Sequence, residues 1–452
     1  MILQKIKNSS VSKRVLNAIV FGTGGAIIAK GILLLFNVII ARIITAAEYG
    51  QYSIINNTVQ TFTIFAGAGI GSSLSMYVAL YRDKDKNLVG IIIKTLLVFN
   101  VFISILVALM MFFLSDKISS LISEEVDISG FLKVTSLTIF FTSMALMFQN
   151  ILQGFEKFRK IALCQLISNV VMIIVGVLIT IKFKTVGAII ALLILNTLMT
   201  GFFVIVLRKV LKENKIKLKF KINSTVNEAI KKVAIPALLS SLFVVPILWI
   251  TNSIFTKNNS FEEFAAFSVC LQWYTILNYI PQQLGQVKPI YTQLYDENKM
   301  AEFKKISYRM IIFSMAFSFF TSVVLGIFSG LLLRMYGDFY TEYTIPFIIM
   351  LISAILYSAQ SQFGSIFYAI GKIWLSFALN VFWAVIFVTS FLLLQKNGAM
   401  GYTLSYLISY AIYSAVSYLF FLITIKKKMT TKRIGVKDEA KTKIEDGDEI
   451  DG

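Results

Sequence analysis

The chain has no histidine, and only two cysteines and five prolines among its 452 residues. Without histidine, imidazole bases, Ser-His nucleophile pairs and His-ligated zinc are excluded. The cysteines, Cys164 and Cys270, both fall inside apolar segments, which leaves no disulfide framework and no thiolate metal site. No catalytic residue, metal or cofactor is predicted. Charge is scarce too: Asp, Glu, Lys and Arg make up 15% of the residues, against about 25% in soluble domains. No Asp or Glu stands near the centre of a long apolar segment, so an intramembrane carboxylate relay has no residue to use.

Apolar runs are what the chain has instead. With 57% hydrophobic residues, it predicts an integral membrane protein, because segments of about 20 residues recur that cross ~30 Å of hydrocarbon as helices. About 12 spans are predicted, near residues 16–44, 50–78, 88–114, 131–152, 161–181, 186–207, 233–256, 264–287, 306–333, 344–368, 374–395 and 398–425. The first segment is too long for a signal-peptide core and lacks a small-x-small cleavage site, which predicts a retained span.

The net charge of +19 sits mostly in alternate loops, as the positive-inside rule requires, and points away from nucleic acid. Lys5, Lys7, Lys13 and Arg14 precede the first span, Lys157, Arg159 and Lys160 follow the fourth, Arg208 to Lys232 follows the sixth, and Lys426 to Lys428 the last. The loop Ser115 to Ser129 is acidic. Both termini are therefore predicted to be cytoplasmic.

The chain repeats itself at an offset of about 215 residues. Glu48-Tyr49-x-x-Tyr52-Ser53 returns as Glu263-Phe264-x-x-Phe267-Ser268, Tyr77-x-x-Leu80-Tyr81 as Tyr291-x-x-Leu294-Tyr295, Lys157 as Lys372, Gln165 as Asn380, and Gly187-Ala188 as Gly398-Ala399. The expected fold is all-α, with two six-helix lobes related by a parallel repeat around a central cavity. The expected division is an N-terminal lobe over 1–207, a basic cytoplasmic linker over 208–232, a C-terminal lobe over 233–425 and a charged tail over 426–452. The tail is expected to be disordered.

Polar residues mark the faces expected to be wet. Ser268, Gln272, Thr275, Tyr279, Gln282 and Gln286 form one stripe on the eighth span. Asn57 and Gln60 share a face of the second, Asn37 follows Thr23 and Lys30 at intervals of seven on the first, and Gln149 lies on the fourth. Uncharged amides and hydroxyls suit sugars, although the same residues also glue membrane helices together. Pro236, Pro246, Pro281 and Pro289 are candidate bends.

Lys30 is the sharpest signal. A charge at mid-bilayer costs at least ~2.5–3.5 kcal/mol, so it is ordinarily kept for a water-filled cavity and a ligand. Lys94, Lys288 and Arg42 are further candidates for an anion, with interface anchoring as the alternative for each. Cations without carboxylates favour an anionic substrate over a cationic drug.

The layout resembles the polysaccharide and O-antigen flippase family (Wzx type) of the multidrug, oligosaccharidyl-lipid and polysaccharide exporter superfamily. The resemblance rests on Ala41-Arg42-Ile43-Ile44-Thr45-x-x-Glu48-Tyr49-Gly50-x-Tyr52, Gly69-Ile70-Gly71 with Tyr77-x-Ala79, Gln153-Gly154-x-x-Lys157-x-Arg159, and Gly187-Ala188. It implies a bacterial inner-membrane flippase moving an undecaprenyl-pyrophosphate-linked oligosaccharide to the periplasmic leaflet, with membrane lipids and polysaccharide polymerase machinery as partners. Lys30 would meet the pyrophosphate and the polar stripes the sugars. A multidrug or other lipid-linked exporter of the superfamily is the alternative, and a membrane polymerase or ligase of lipid-linked sugars a third reading.

Overall fold

The computed structural model describes residues 24–445 except 223, 229, 232–234 and 285–287. Each predicted apolar segment is mostly helical over its described residues, and among these no strand forms. The helices are α1 (Gly25–Ile43), α2 (Ala46–Phe65), α3 (Ala68–Tyr81), α4 (Lys86–Phe113), α5 (Ser115–Ile122), α6 (Ser129–Gly154), α7 (Phe158–Glu213) and α8 (Ser224–Glu228). They continue as α9 (Ile235–Asn258), α10 (Phe261–Gln283), α11 (Lys288–Asp296), α12 (Met300–Ile327), α13 (Ser329–Arg334), α14 (Thr344–Ala369), α15 (Ile373–Leu394) and α16 (Gly398–Glu445). Among the described residues, seven helical stretches are long and apolar enough to cross a bilayer. In hydrocarbon only helices of this kind satisfy every backbone group within one segment.

Local chemistry sets the boundaries. Thr45 ends the link after α1 and caps α2 reciprocally with Glu48: the Thr45 hydroxyl accepts from the Glu48 N–H at 3.2 Å, and the Glu48 carboxylate accepts from the Thr45 N–H at 2.8 Å. The predicted second span is not one helix. It breaks at Gly67 (φ 151) into α2 and α3, and the Ala66 carbonyl accepts from the Ser143 hydroxyl at 3.1 Å, which in turn accepts from the Asn100 amide at 3.1 Å. A broken membrane helix persists where neighbouring polar side chains take up its freed backbone groups. α7 folds back at Lys184 (φ 50, ψ −130), so that a Cβ on Gly176 would stand 2.7 Å from that of Ala191.

The same turns recur at the repeat offset. After α6, Lys157 N–H reaches Leu152 O at 2.9 Å around Glu156 (φ 56); after α14, Lys372 N–H reaches Phe367 O at 2.9 Å around Gly371 (φ 75). The non-helical Lys184 of α7 has its counterpart in Gly398 (φ 57, ψ −142) before α16. The last helix runs past Lys426 to Glu445. The stretch from Lys426 to Glu445 holds no proline and is rich in Lys, a good helix former that can continue a helix already nucleated.

The chain forms two compact units. One comprises Met1–Gln272, Ser329–Pro346 and Phe391–Tyr402; the other Trp273–Phe328, Phe347–Ser390 and Thr403–Gly452. The first has a core of Leu74, Ile92, Ile93, Ile151, Phe203 and Val210, from α3, α4, α6 and α7. The second is stitched by small polar residues: Ser314 and Ser322 of α12 donate to Ser358 O and Leu351 O of α14 at 3.0 and 3.1 Å. Serine lets membrane helices approach closely while its hydroxyl stays bonded.

Candidate functional site

Lys30 is half-buried on α1. Asn37 lies two turns on, on the same face, and accepts from the Tyr52 hydroxyl of α2 at 3.3 Å. Tyr52 packs against Tyr49, ring centroids 5.9 Å apart, and Tyr49 against Tyr340 at 6.2 Å. Gln272 at the edge of this unit donates to the Tyr49 hydroxyl at 2.6 Å and accepts from Tyr336 at 3.4 Å. Two predicted polar residues, Asn37 and Gln272, are thus joined through tyrosines. The sequence reading missed Tyr49, Tyr52, Tyr336 and Tyr340 because tyrosine counts as apolar filler in a hydropathy pattern; the repeated Glu-aromatic motif at 48–52 was the available signal.

Arg42, exposed at the end of α1, donates from Nε to Met335 O at 2.6 Å and from Nη2 to Arg334 O at 2.7 Å. This guanidinium caps the C-terminal carbonyls of α13 with two of its five donors. Glu263, which the sequence reading treated only as a repeat marker, accepts from the Ala399 N–H at 2.6 Å and from Tyr343 at 3.0 Å. A carboxylate at the N-terminus of α16 matches the sign of the helix dipole there. On the other face of α2, Trp249 of α9 donates to Thr58 at 3.0 Å.

The remaining candidates of this unit are spread over other helices. Asn57 is half-buried and Gln60 exposed on α2. Gln149 of α6 accepts from Gln165 of α7 at 3.1 Å, which makes that pair a helix-to-helix tie. Lys94 is half-buried on α4, which packs on α6 and α3, whereas α1 with Lys30 packs on α7 and α2. An apolar groove of about 350 Å³ between α4 and α6 is lined by Ile105, Leu109, Phe112, Leu137 and Phe140. It offers no charge to an anion.

In the second unit Lys288 sits 4.9 Å from the centroid of the Tyr368 ring, a cation–π contact. Thr275 and Gln282 are exposed on α10 and Tyr279 is half-buried; Gln286 lies outside the described residues. Along α10, Gln272 belongs to the first unit's tyrosine network, while Thr275, Tyr279 and Gln282 fall in the second unit. A further cluster there was also missed. Tyr274, Tyr357, Tyr406 and Tyr410 pack ring to ring at 5.2–6.4 Å, and Tyr413 donates to Asn380 at 2.5 Å. The spacing Tyr402, Tyr406, Tyr410, Tyr413 on one helical face was its signal. Among the described residues no group of three His, Cys, Asp or Glu could hold a metal ion.

Comparison with known proteins gives a family and a fold. Residues 15–258 match the family described as polysaccharide biosynthesis protein. The EPS I polysaccharide export inner membrane protein EpsE of Ralstonia nicotianae is 21% identical over 302 residues, 63% of this chain. The chain spans 65% of the length of that curated relative. Among solved structures, a multidrug resistance MATE family transporter of the MOP superfamily, in its inward-facing conformation, is similar with a TM-score of 0.74 at 14% identity, over 88% of this chain and 95% of that one. The lipid II flippase MurJ, in an inward closed conformation, gives 0.70 at 18% identity over 91% and 89%. A MOP superfamily transporter from Pyrococcus furiosus, described as having a binding pocket of reversed polarity, gives 0.67 at 14% identity over 91% and 96%. At these identities the structures establish a shared all-α membrane transporter fold.

Proposed function

The chain belongs to the polysaccharide biosynthesis protein family, and on that premise we propose that it is a flippase for a polyprenyl-pyrophosphate-linked oligosaccharide. The family match carries the reading, because it spans α1 with Lys30, the most deeply placed cation of the sequence pattern. Transport, and not catalysis, is the activity. The substrate joins a doubly charged headgroup to neutral sugars and an apolar tail, and each part asks for a different surface.

Lys30 contacts the pyrophosphate, with Lys94 and Lys288 as cations met earlier or later along the path. Arg42 acts as a clamp on the α13 carbonyls. Asn37, Asn57, Gln60, Gln149, Gln272, Thr275, Tyr279 and Gln282, with Gln286, serve the sugars by neutral hydrogen bonding. The absence of Asp and Glu from the middle of the predicted spans supports an anionic over a cationic cargo. The recurrence of the turns at Glu156 and Gly371 supports two lobes of six spans, 1–207 and 233–425, joined by a cytoplasmic linker, with both termini cytoplasmic in a bacterial inner membrane.

Deletion of the gene tests the reading. We expect loss of surface polysaccharide, accumulation of lipid-linked oligosaccharide in the cytoplasmic leaflet and unchanged drug tolerance. Intact polysaccharide with raised drug sensitivity would move the chain to the multidrug exporters.

A further inference from the structure

Between α7 and α8 the chain reads Lys215-Ile216-Lys217-Leu218-Lys219-Phe220-Lys221-Ile222, a strict alternation of cation and apolar side chain. Period two belongs to an extended backbone, which sends successive side chains to opposite sides. The segment is pinned at both ends and along its backbone. α7 closes in a left-handed turn at Lys215 (φ 54), with Ile216 N–H on Leu211 O at 2.9 Å, and Ile216 joins the core. The Lys217 carbonyl lies so near Gly90 of α4 that a Cβ there would be 2.0 Å from the oxygen; only glycine permits that approach. The Thr95 hydroxyl donates to Lys221 O at 3.0 Å and accepts from Lys221 N–H at 3.1 Å. One hydroxyl reaches both groups of one residue because they point to the same side in extended backbone. Val226 of α8, fully buried, fixes the far end.

What this anchoring leaves free is unusual. Lys217, Lys219 and Lys221 are exposed, and so are Leu218 (42%), Phe220 (54%) and Ile222 (54%). A strap in water gains nothing from three exposed large apolar side chains, and one in hydrocarbon cannot keep three lysines. Both rows are satisfied only at the boundary of headgroups and acyl chains, where apolar side chains insert and cations meet lipid phosphates. The strap lies beside the start of α4, where a predicted membrane span begins.

We propose that residues 215–222 form a membrane-surface strap that binds the phosphates of anionic phospholipids. Leu218, Phe220 and Ile222 enter the acyl boundary, and Lys217, Lys219 and Lys221 gather the headgroups around the basic rim of the protein. The occupant is bulk lipid, distinct from any transported cargo, so the proposal stands apart from the flippase reading.

The test uses the full chain in nanodiscs of phosphatidylcholine with or without phosphatidylglycerol. A spin label at Phe220→Cys reads depth, and native mass spectrometry reads retained phosphatidylglycerol. The expected result is a label at headgroup depth and a loss of retained phosphatidylglycerol of at least about fivefold when Lys217, Lys219 and Lys221 are all changed to Gln. Thr95→Val, which unpins the strap, should raise label mobility while the lysines keep their lipid. A label in water in both discs, equal retention by the triple Gln variant, or displacement of phosphatidylglycerol by millimolar inorganic phosphate would each overturn the proposal, the last by assigning the lysines to free anion.

Discussion

Gln272 donates a 2.6 Å hydrogen bond to the hydroxyl of Tyr49, 223 residues away in the chain. Tyr49 is fully buried, so its hydroxyl and the amide it holds depend on one another. Tyr49→Phe removes the acceptor and strands the Gln272 donor, which costs about 1–3 kcal/mol. A double-mutant cycle with Gln272→Ala, followed by thermal unfolding in detergent, should show non-additive losses. Additive losses would mean that the two residues act separately.

Gly398 sits at φ 57 with the Glu263 carboxylate against it, 2.4 Å from where a Cβ would be. Gly398→Ala should therefore destabilise by more than the ~1–3 kcal/mol of the backbone term alone. Lys184 holds nearly the same conformation without being glycine. Lys184→Gly should raise the unfolding temperature by relieving that strain, and a fall would show that the lysine side chain contributes more than its backbone costs.

Arg42 holds Arg334 O and Met335 O as a fork. Lysine carries the charge without the planar pair of donors, so Arg42→Lys should behave nearly as badly as Arg42→Ala in hydrogen exchange at residues 331–337. Full protection in the lysine variant would reduce the contact to simple charge.

Asp127, in the loop before α6, accepts from the Ser129 N–H, the Ser129 hydroxyl and the Ser119 hydroxyl at 2.8, 3.0 and 3.1 Å. These bonds, the Ser129 N–H first, hold its carboxyl below the ordinary range. A lowered folded value means that the contribution is complete above the ordinary carboxylate pKa of about 3.9 and is lost as pH falls through the lower folded one. Loop protection in hydrogen exchange, corrected for intrinsic rate, should be flat from neutral pH to about 5 and drop only below about 4. Asp127→Asn should lack that acid step.

Hydropathy made the helices legible, since a single apolar segment of about 20 residues satisfies all its own backbone groups in a membrane only as a helix. It could not reveal the break at Gly67, because Ser143, which donates to the freed Ala66 carbonyl, and Asn100, which donates to Ser143, come from helices distant in sequence. The polar stripe of α10 was visible as a pattern, yet its use was not: Gln272 is taken by Tyr49, whereas Thr275 and Gln282 remain exposed. The tyrosine clusters escaped for the opposite reason, being polar tips on side chains that count as apolar. The alternation at 215–222 was plain in the sequence, but only the bonds from Thr95 give it a place.

The central claim is that the chain moves a lipid pyrophosphate past Lys30. The most direct measurement is the rate at which purified protein in liposomes flips a fluorescent polyprenyl-pyrophosphate-linked sugar, for wild type and for Lys30→Ala of matched unfolding temperature. The account predicts transport by wild type and a rate lower by about tenfold or more in the variant. Equal rates, or no transport of this lipid by the wild type, would contradict it.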